Sequence, residues 1–143
     1  MTPDQLSTAI TCAVVYCALY SAHQVGDHWV QTDREALGKG GTGWSGRLAC
    51  LSHVATLTAT KLGFVVLVWL VLGLSISPVG LAVGLGVDAV SHYWADRRTT
   101  LARLARLVGK GPWFEHDPQA PYLLDQSWHV GWLLPAALLV ATV

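Results

Sequence analysis

Long apolar runs separated by short polar or glycine-rich segments set the pattern of this chain. From Gln5 to Gly26 there is no Asp, Glu, Lys or Arg, and a helix needs about 20 such residues to cross a bilayer core. The apolar content comes as runs rather than as a periodic stripe, which points to lipid as the solvent. The pattern predicts four long helices, from about Asp4 to Gln31, Arg47 to Leu74, Pro78 to Asp96 and Tyr122 to Val143. The run Gly38-Lys39-Gly40-Gly41-Thr42-Gly43 reads as a flexible turn. Ser75-Ile76-Ser77-Pro78 makes the second break, with Pro78 suited to a first helical turn. Between about Arg98 and Val108, Leu101, Leu104, Ala105 and Val108 recur at helical spacing with Arg103 and Arg106 between them. That is the pattern of a short basic amphipathic helix lying on headgroups. Gly109 to Pro121 reads as a loop, and Pro135 as a kink in the last helix.

The expected fold is therefore all-α: a polytopic membrane protein, a four-transmembrane-helix bundle with an amphipathic interfacial helix, forming one integral-membrane domain over residues 1–143. The first run lacks a basic leader and passes directly into His23 and Asp27, so it is expected to be a retained helix rather than a cleaved signal. Composition agrees: 52% of residues are hydrophobic and 13% charged, against roughly 25% charged in soluble domains. The net charge is zero, which gives no basic field for nucleic acid. Cys12, Cys17 and Cys50 show no metal-knot spacing and read as small apolar residues.

Basic residues set the orientation. Arg34, Lys39 and Arg47 flank the first break, and Arg97, Arg98, Arg103, Arg106 and Lys110 the third. The positive-inside rule makes that side cytoplasmic and puts both termini outside, as in a bacterial inner-membrane protein. Trp29, Trp44, Trp94, Trp113 and Trp128 fall near the same boundary, as an aromatic belt does. The remaining cation, Lys61, lies deep in the second run. It is expected to pair with a carboxylate such as Asp88, to hold a substrate head group, or to snorkel toward an interface.

Polar residues punctuate the cytoplasmic ends of the runs. His23 and Asp27 close the first, His53 opens the second, His92 and Asp96 close the third, and Asp125 and His129 open the fourth. Three of these groups are spaced i, i+4, which puts both side chains on one helix face. In antiparallel helices the seven gather at one depth. Imidazoles and carboxylates together suit zinc, iron or manganese. Zinc is the first choice, because a catalytic zinc keeps three protein ligands and an open position, and a bound metal acidifies its water. His23, Asp27, His53, His92, Asp96, Asp125 and His129 are the candidate ligands, with Asp27, Asp96 and Asp125 also candidates for second-sphere or general-base roles. Asp88, His28 and Lys61 are secondary candidates. His116, beside Glu115 and Asp117, reads as solvated. The alternative is a polar network that only locks helices together.

The same residues resemble a known family. His23-Gln24-Val25-Gly26-Asp27-His28-Trp29-Val30-Gln31, the single His53, His92-Tyr93-Trp94-Ala95-Asp96-Arg97 and Asp125-Gln126-Ser127-Trp128-His129 are similar to the motifs of a bacterial and phage integral-membrane family, the domain of unknown function 3307. The resemblance spans nearly the whole chain and departs at His28, where that family commonly has Phe. It implies the fold and the choice of residues, favours Asp96 over Asp88 as the partner of His92, and implies no substrate. More distantly the motifs resemble membrane-bound metal-dependent hydrolases.

The functional expectation is a metal-dependent hydrolase at the cytoplasmic interface, acting on a membrane lipid or other amphiphile. Alternatives are a non-haem iron or manganese oxidoreductase on a lipid-soluble substrate, a metal or proton carrier, and a non-enzymatic sensor or assembly protein. Few polar residues continue toward the outer face beyond Asp88 and Lys61, which weakens the carrier reading. A homo-oligomer is compatible with so small a bundle.

Overall fold

The computed structural model describes residues 1–143, and every regular element is helical. α1 spans Pro3–Val25 and passes into a π-helical turn, Gly26–Val30. α2 (Asp33–Gly38), α3 (Gly43–Leu72), α4 (Pro78–Asp96), α5 (Thr99–Leu107), α6 (Gly111–His116) and α7 (Ala120–Thr142) follow. Local chemistry explains the starts. Thr2 and Gln5 form a reciprocal capping box ahead of α1, and Thr32 with Glu35 does the same for α2. Ser77 caps α4 through the amides of Val79 and Gly80, with Pro78 in the first turn. α3 stops at Gly73, whose φ of 62° is left-handed.

The four long helices form a bundle in which α1 and α4 each pack against both α3 and α7. Buried positions on α3 (Gly46, Cys50, His53, Val54, Leu57, Lys61 and Val65) recur at three- and four-residue intervals, one stripe of an otherwise apolar helix. The interior is layered. Val15, Leu19, Val65, Leu81, Leu85, Leu133 and Val140 belong to an apolar core near one end. Lys61 and Asp88 follow, and then the histidines. Outside, the order inverts: Leu70 is 77% exposed and Val90 72%, while His23, His53 and Asp96 are fully buried. At the histidine end the interior is thus polar while large apolar side chains face outward, a surface that water-soluble proteins rarely carry. Pro3–Val30 and Gly43–Leu72 are long and apolar enough to cross a membrane.

Several expectations change. The first helix does not run evenly to Gln31; its last turn widens, with the Gln31 amide donating to the Gly26 carbonyl. α3 starts at Gly43 rather than Arg47, and α7 at Ala120 rather than Tyr122. The short helix expected near Arg98–Val108 appears as α5, whereas α2 falls in a stretch assigned no element and α6 in the stretch read as a loop. The glycine-rich turn is not loose. Arg97 donates to the carbonyls of Lys39 (2.6 Å) and Gly41 (2.5 Å), and Arg98 to that of Ala36 (2.8 Å). α7 continues through Pro135.

Candidate metal centre

Asp27 reaches the interior from the π turn. Such turns displace the following side chains relative to a regular helix and recur at functional sites. His53 comes from α3, and His92 and Asp96 from successive turns of α4. Asp27 Oδ1 lies 3.1 Å from His53 Nε2 and 3.7 Å from His92 Nε2. His53 Nε2 is 3.1 Å from His92 Nε2, and Asp96 Oδ2 is 3.4 and 3.3 Å from those two nitrogens. Four ligand atoms from three helices thus surround one point. For zinc–nitrogen bonds of about 2.0 Å, the edge of a tetrahedron is about 3.3 Å. The five separations from 3.1 to 3.7 Å match edges of such a polyhedron. The residues present therefore fit an ion held by Asp27, His53 and His92, with Asp96 against both histidines.

The remaining candidates flank this group. His129 Nε2 is 3.6 Å from Asp96 Oδ1 and 3.3 Å from Asp125 Oδ1, and its ring stacks on His92 with centroids 3.7 Å apart. His92, Asp96 and His129 form a second close trio, sharing His92 with the trio of Asp27, His53 and His92. His92 offers one inward lone pair, so it serves only one ion. His23 stands at the edge, 3.7 Å from Asp27 Oδ2 and 3.3 Å from Gln126 Oε1. Gln126 in turn donates to Asp27 Oδ2 at 3.2 Å. The seven sequence candidates are thus neighbours, but they divide into a central four, a flanking pair and an edge residue.

The secondary candidates separate from the centre. Lys61 pairs with Asp88 at 2.6 Å, one turn deeper than His92, so neither the head-group nor the snorkelling expectation for Lys61 holds. His28 is exposed; its Nδ1 faces the Gln24 carbonyl and its Nε2 the Tyr122 hydroxyl at 3.2 Å. His116 bonds the Pro112 carbonyl, away from the cluster.

Lys39 was not foreseen. Its ammonium sits 2.8 Å from Asp96 Oδ1, and the residue is buried, although it lies within the glycine-rich turn. Asp96 therefore pairs with Lys39 and not with Arg97 or Arg98, which hold the turn's carbonyls. Glu35 is the other hidden polar group. Burial raises its pKa, but hydrogen bonds from Ser52 (2.6 Å) and Thr32 outweigh this and hold its carboxyl below the ordinary range. No signal in the sequence marks Lys39; Glu35 is marked by the Thr32-x-x-Glu35 capping pattern.

The centre opens through one polar mouth. A cavity of about 480 Å³ is lined by Asp27, Lys39, Asp96, Asp125, Arg98 and Tyr122, among others. Asp125 faces it with its side chain 21% exposed, whereas the Asp96 side chain is sealed. Asp125, His129 and Asp96 thus form a chain of titratable groups from the mouth to the centre.

No family model, curated protein or solved structure matches this chain. The resemblance to the domain of unknown function 3307 rests on the quoted motifs alone.

Proposed function

We propose that the protein is a four-span bacterial inner-membrane protein whose His/Asp centre binds a divalent metal, zinc first, and hydrolyses a lipid or other amphiphile at the cytoplasmic interface. The observation that carries this reading is the close grouping of ligand atoms on Asp27, His53 and His92, with Asp96 against both histidines. A second observation supports it. Asp27 Oδ1 and Asp96 Oδ2, the inward carboxylate oxygens, are buried without a hydrogen-bond partner, and each such group costs about 1–3 kcal/mol. An ion bound to them offsets that cost. The spans are supported by the apolar exterior and by Pro3–Val30 and Gly43–Leu72, both long and apolar enough to cross a membrane, while α4, with 19 residues extending about 28 Å, matches in length alone.

In such a centre the ion supplies a Lewis acid and an acidified water. Asp27 and Asp96 hold their second oxygens away from it, on Gln126 and Lys39. Asp125 at the mouth, with His129 behind it, would accept a proton there and return it to the leaving group. The sealed walls of the centre exclude other water.

Metal content by elemental mass spectrometry on detergent-purified protein tests this. The expected result is one equivalent of zinc, lost in His53→Ala and in His92→Ala and retained in His116→Ala. Iron or manganese in its place moves the assignment to an oxidoreductase on a lipid-soluble substrate. Absence of metal from folded, reloaded protein overturns the centre. It then favours a polar lock between helices, a reading supported by the Lys39–Asp96 pair, which neutralises one carboxylate without an ion.

A further inference from the structure

Two apolar spaces lead away from the polar mouth. Leu101 of α5 lines the mouth and also a cleft of about 200 Å³ between α5 and α7. Trp128 of α7 lines that cleft and also a groove of about 570 Å³ on the outer face of α4 and α7, where Trp94, Trp132, Val87 and Val90 form the walls. Leu101 and Trp128 thus stand between successive spaces, so the three lie side by side in that order. The groove runs from Trp94 to Val83, eleven residues or about 16 Å deeper along α4. Trp128 is fixed there by its Nε1 donating to Ser91 at 3.0 Å and by stacking on Trp94.

The head end of this path is cationic at one wall. Arg98 is the single non-glycine residue with positive φ, at 55°, a conformation that costs about 1–3 kcal/mol. Its stem crosses Gly40, where a Cβ would lie 2.5 Å from Arg98 Cδ. One nitrogen holds Ala36, which leaves the rest of the guanidinium free at the mouth. A guanidinium fork binds phosphate oxygens in pairs, and a phosphate has enough oxygens to face Arg98 and the metal centre together.

We infer that the substrate of the proposed hydrolase is a long-chain phosphate ester, with its phosphate in the mouth between Arg98 and the centre and its chain along the cleft into the tryptophan groove. This rests on the hydrolase reading for the reaction, and on the cavities and Arg98 for the ligand. Hydrolysis joins the water oxygen to phosphorus, breaks the ester P–O bond and releases inorganic phosphate and the alcohol, which takes up a proton.

Tryptophan quenching by a hexadecyl phosphate brominated in mid-chain tests the ligand separately from the reaction, on the full chain in neutral detergent. Brominated hexadecanol at equal micelle fraction measures non-specific quenching. The phosphate is expected to quench at concentrations lower than the alcohol by about tenfold or more, and Arg98→Ala to abolish that difference. Gly86 lines the groove and a Cβ there meets nothing within 4 Å. Gly86→Leu therefore starts into open space at its Cβ and occupies the groove, and is expected to weaken hexadecyl phosphate binding by about tenfold. Equal quenching by the alcohol, or an unchanged Gly86→Leu, overturns the inference. Displacement by inorganic phosphate at matching concentrations does so too, and makes free phosphate the ligand. Binding as expected with no phosphate released by zinc-loaded protein leaves this ligand standing and overturns the hydrolase instead.

Discussion

Lys61 and Asp88 pair at 2.6 Å with both residues buried, between the apolar core and the histidines. A charge left alone in such a place has no water to turn to. Lys61→Met is expected to destabilise the protein by about 3–5 kcal/mol, whereas Lys61→Met with Asp88→Leu recovers most of the loss, because the cost comes from the orphaned charge and not from the absence of the pair. Unfolding of purified protein in detergent reads both variants. A double variant no more stable than the single one overturns this account. The exposed Arg106–Glu115 pair at 2.9 Å is the contrast; water already solvates both partners, and Arg106→Ala is expected to cost under about 1 kcal/mol.

At the scale of elements, α4 and α7 meet through a seam of small residues. A Cβ on Gly84 would lie 2.7 Å from the Ala136 carbonyl oxygen, and backbone cannot yield as a side-chain tip can. Gly84→Ala is expected to cost about 1–3 kcal/mol by prising the helices apart, while Gly86→Ala, which points into open space, stabilises or leaves unchanged the same unfolding transition. Gly80 and Gly84 face this seam, whereas the register turns Gly86 outward. The long helices were legible because each is an apolar run, and the His-x-x-x-Asp pairs because a single turn fixes their relation whatever the tertiary fold. The remainder depended on contacts distant in the chain. α2 and α6 have six residues each, too few for a period to show. Lys39 stands among glycines, and only the grip of Arg97 and Arg98 on that turn carries its ammonium to Asp96. The division of seven candidate ligands into a central four and a periphery depends on helix rotation and on the π turn, which spacing alone does not specify.

For the whole molecule, the distribution of charge bears on orientation as well as on chemistry. Arg97 and Lys39 are drawn into the fold and Arg98 lines the mouth, so the other cations toward the surrounding medium on that side are chiefly Arg34, Arg47, Arg103 and Lys110. Arg47 lies over Trp44 and Lys110 over Trp113, each an aromatic ring joined to a cation, the combination that anchors a helix end at headgroup level. Orientation by the positive-inside rule follows from the number of basic residues near the spans, and that number is unchanged by their bonding. Ser75 lies between α3 and α4, at the opposite end of the bundle from these cations. With Cys12, Cys17 and Cys50 replaced by Ala, single cysteines at the exposed positions Arg34, Ser75 and Arg103 can be probed in intact cells with a membrane-impermeant maleimide. Ser75→Cys is expected to react at once, and Arg34→Cys and Arg103→Cys only after the membrane is opened. The reverse pattern inverts the orientation and carries the metal centre to the outside. Reaction of all three in intact cells removes the four-span arrangement altogether, because residues at both ends of the bundle would then share one aqueous side.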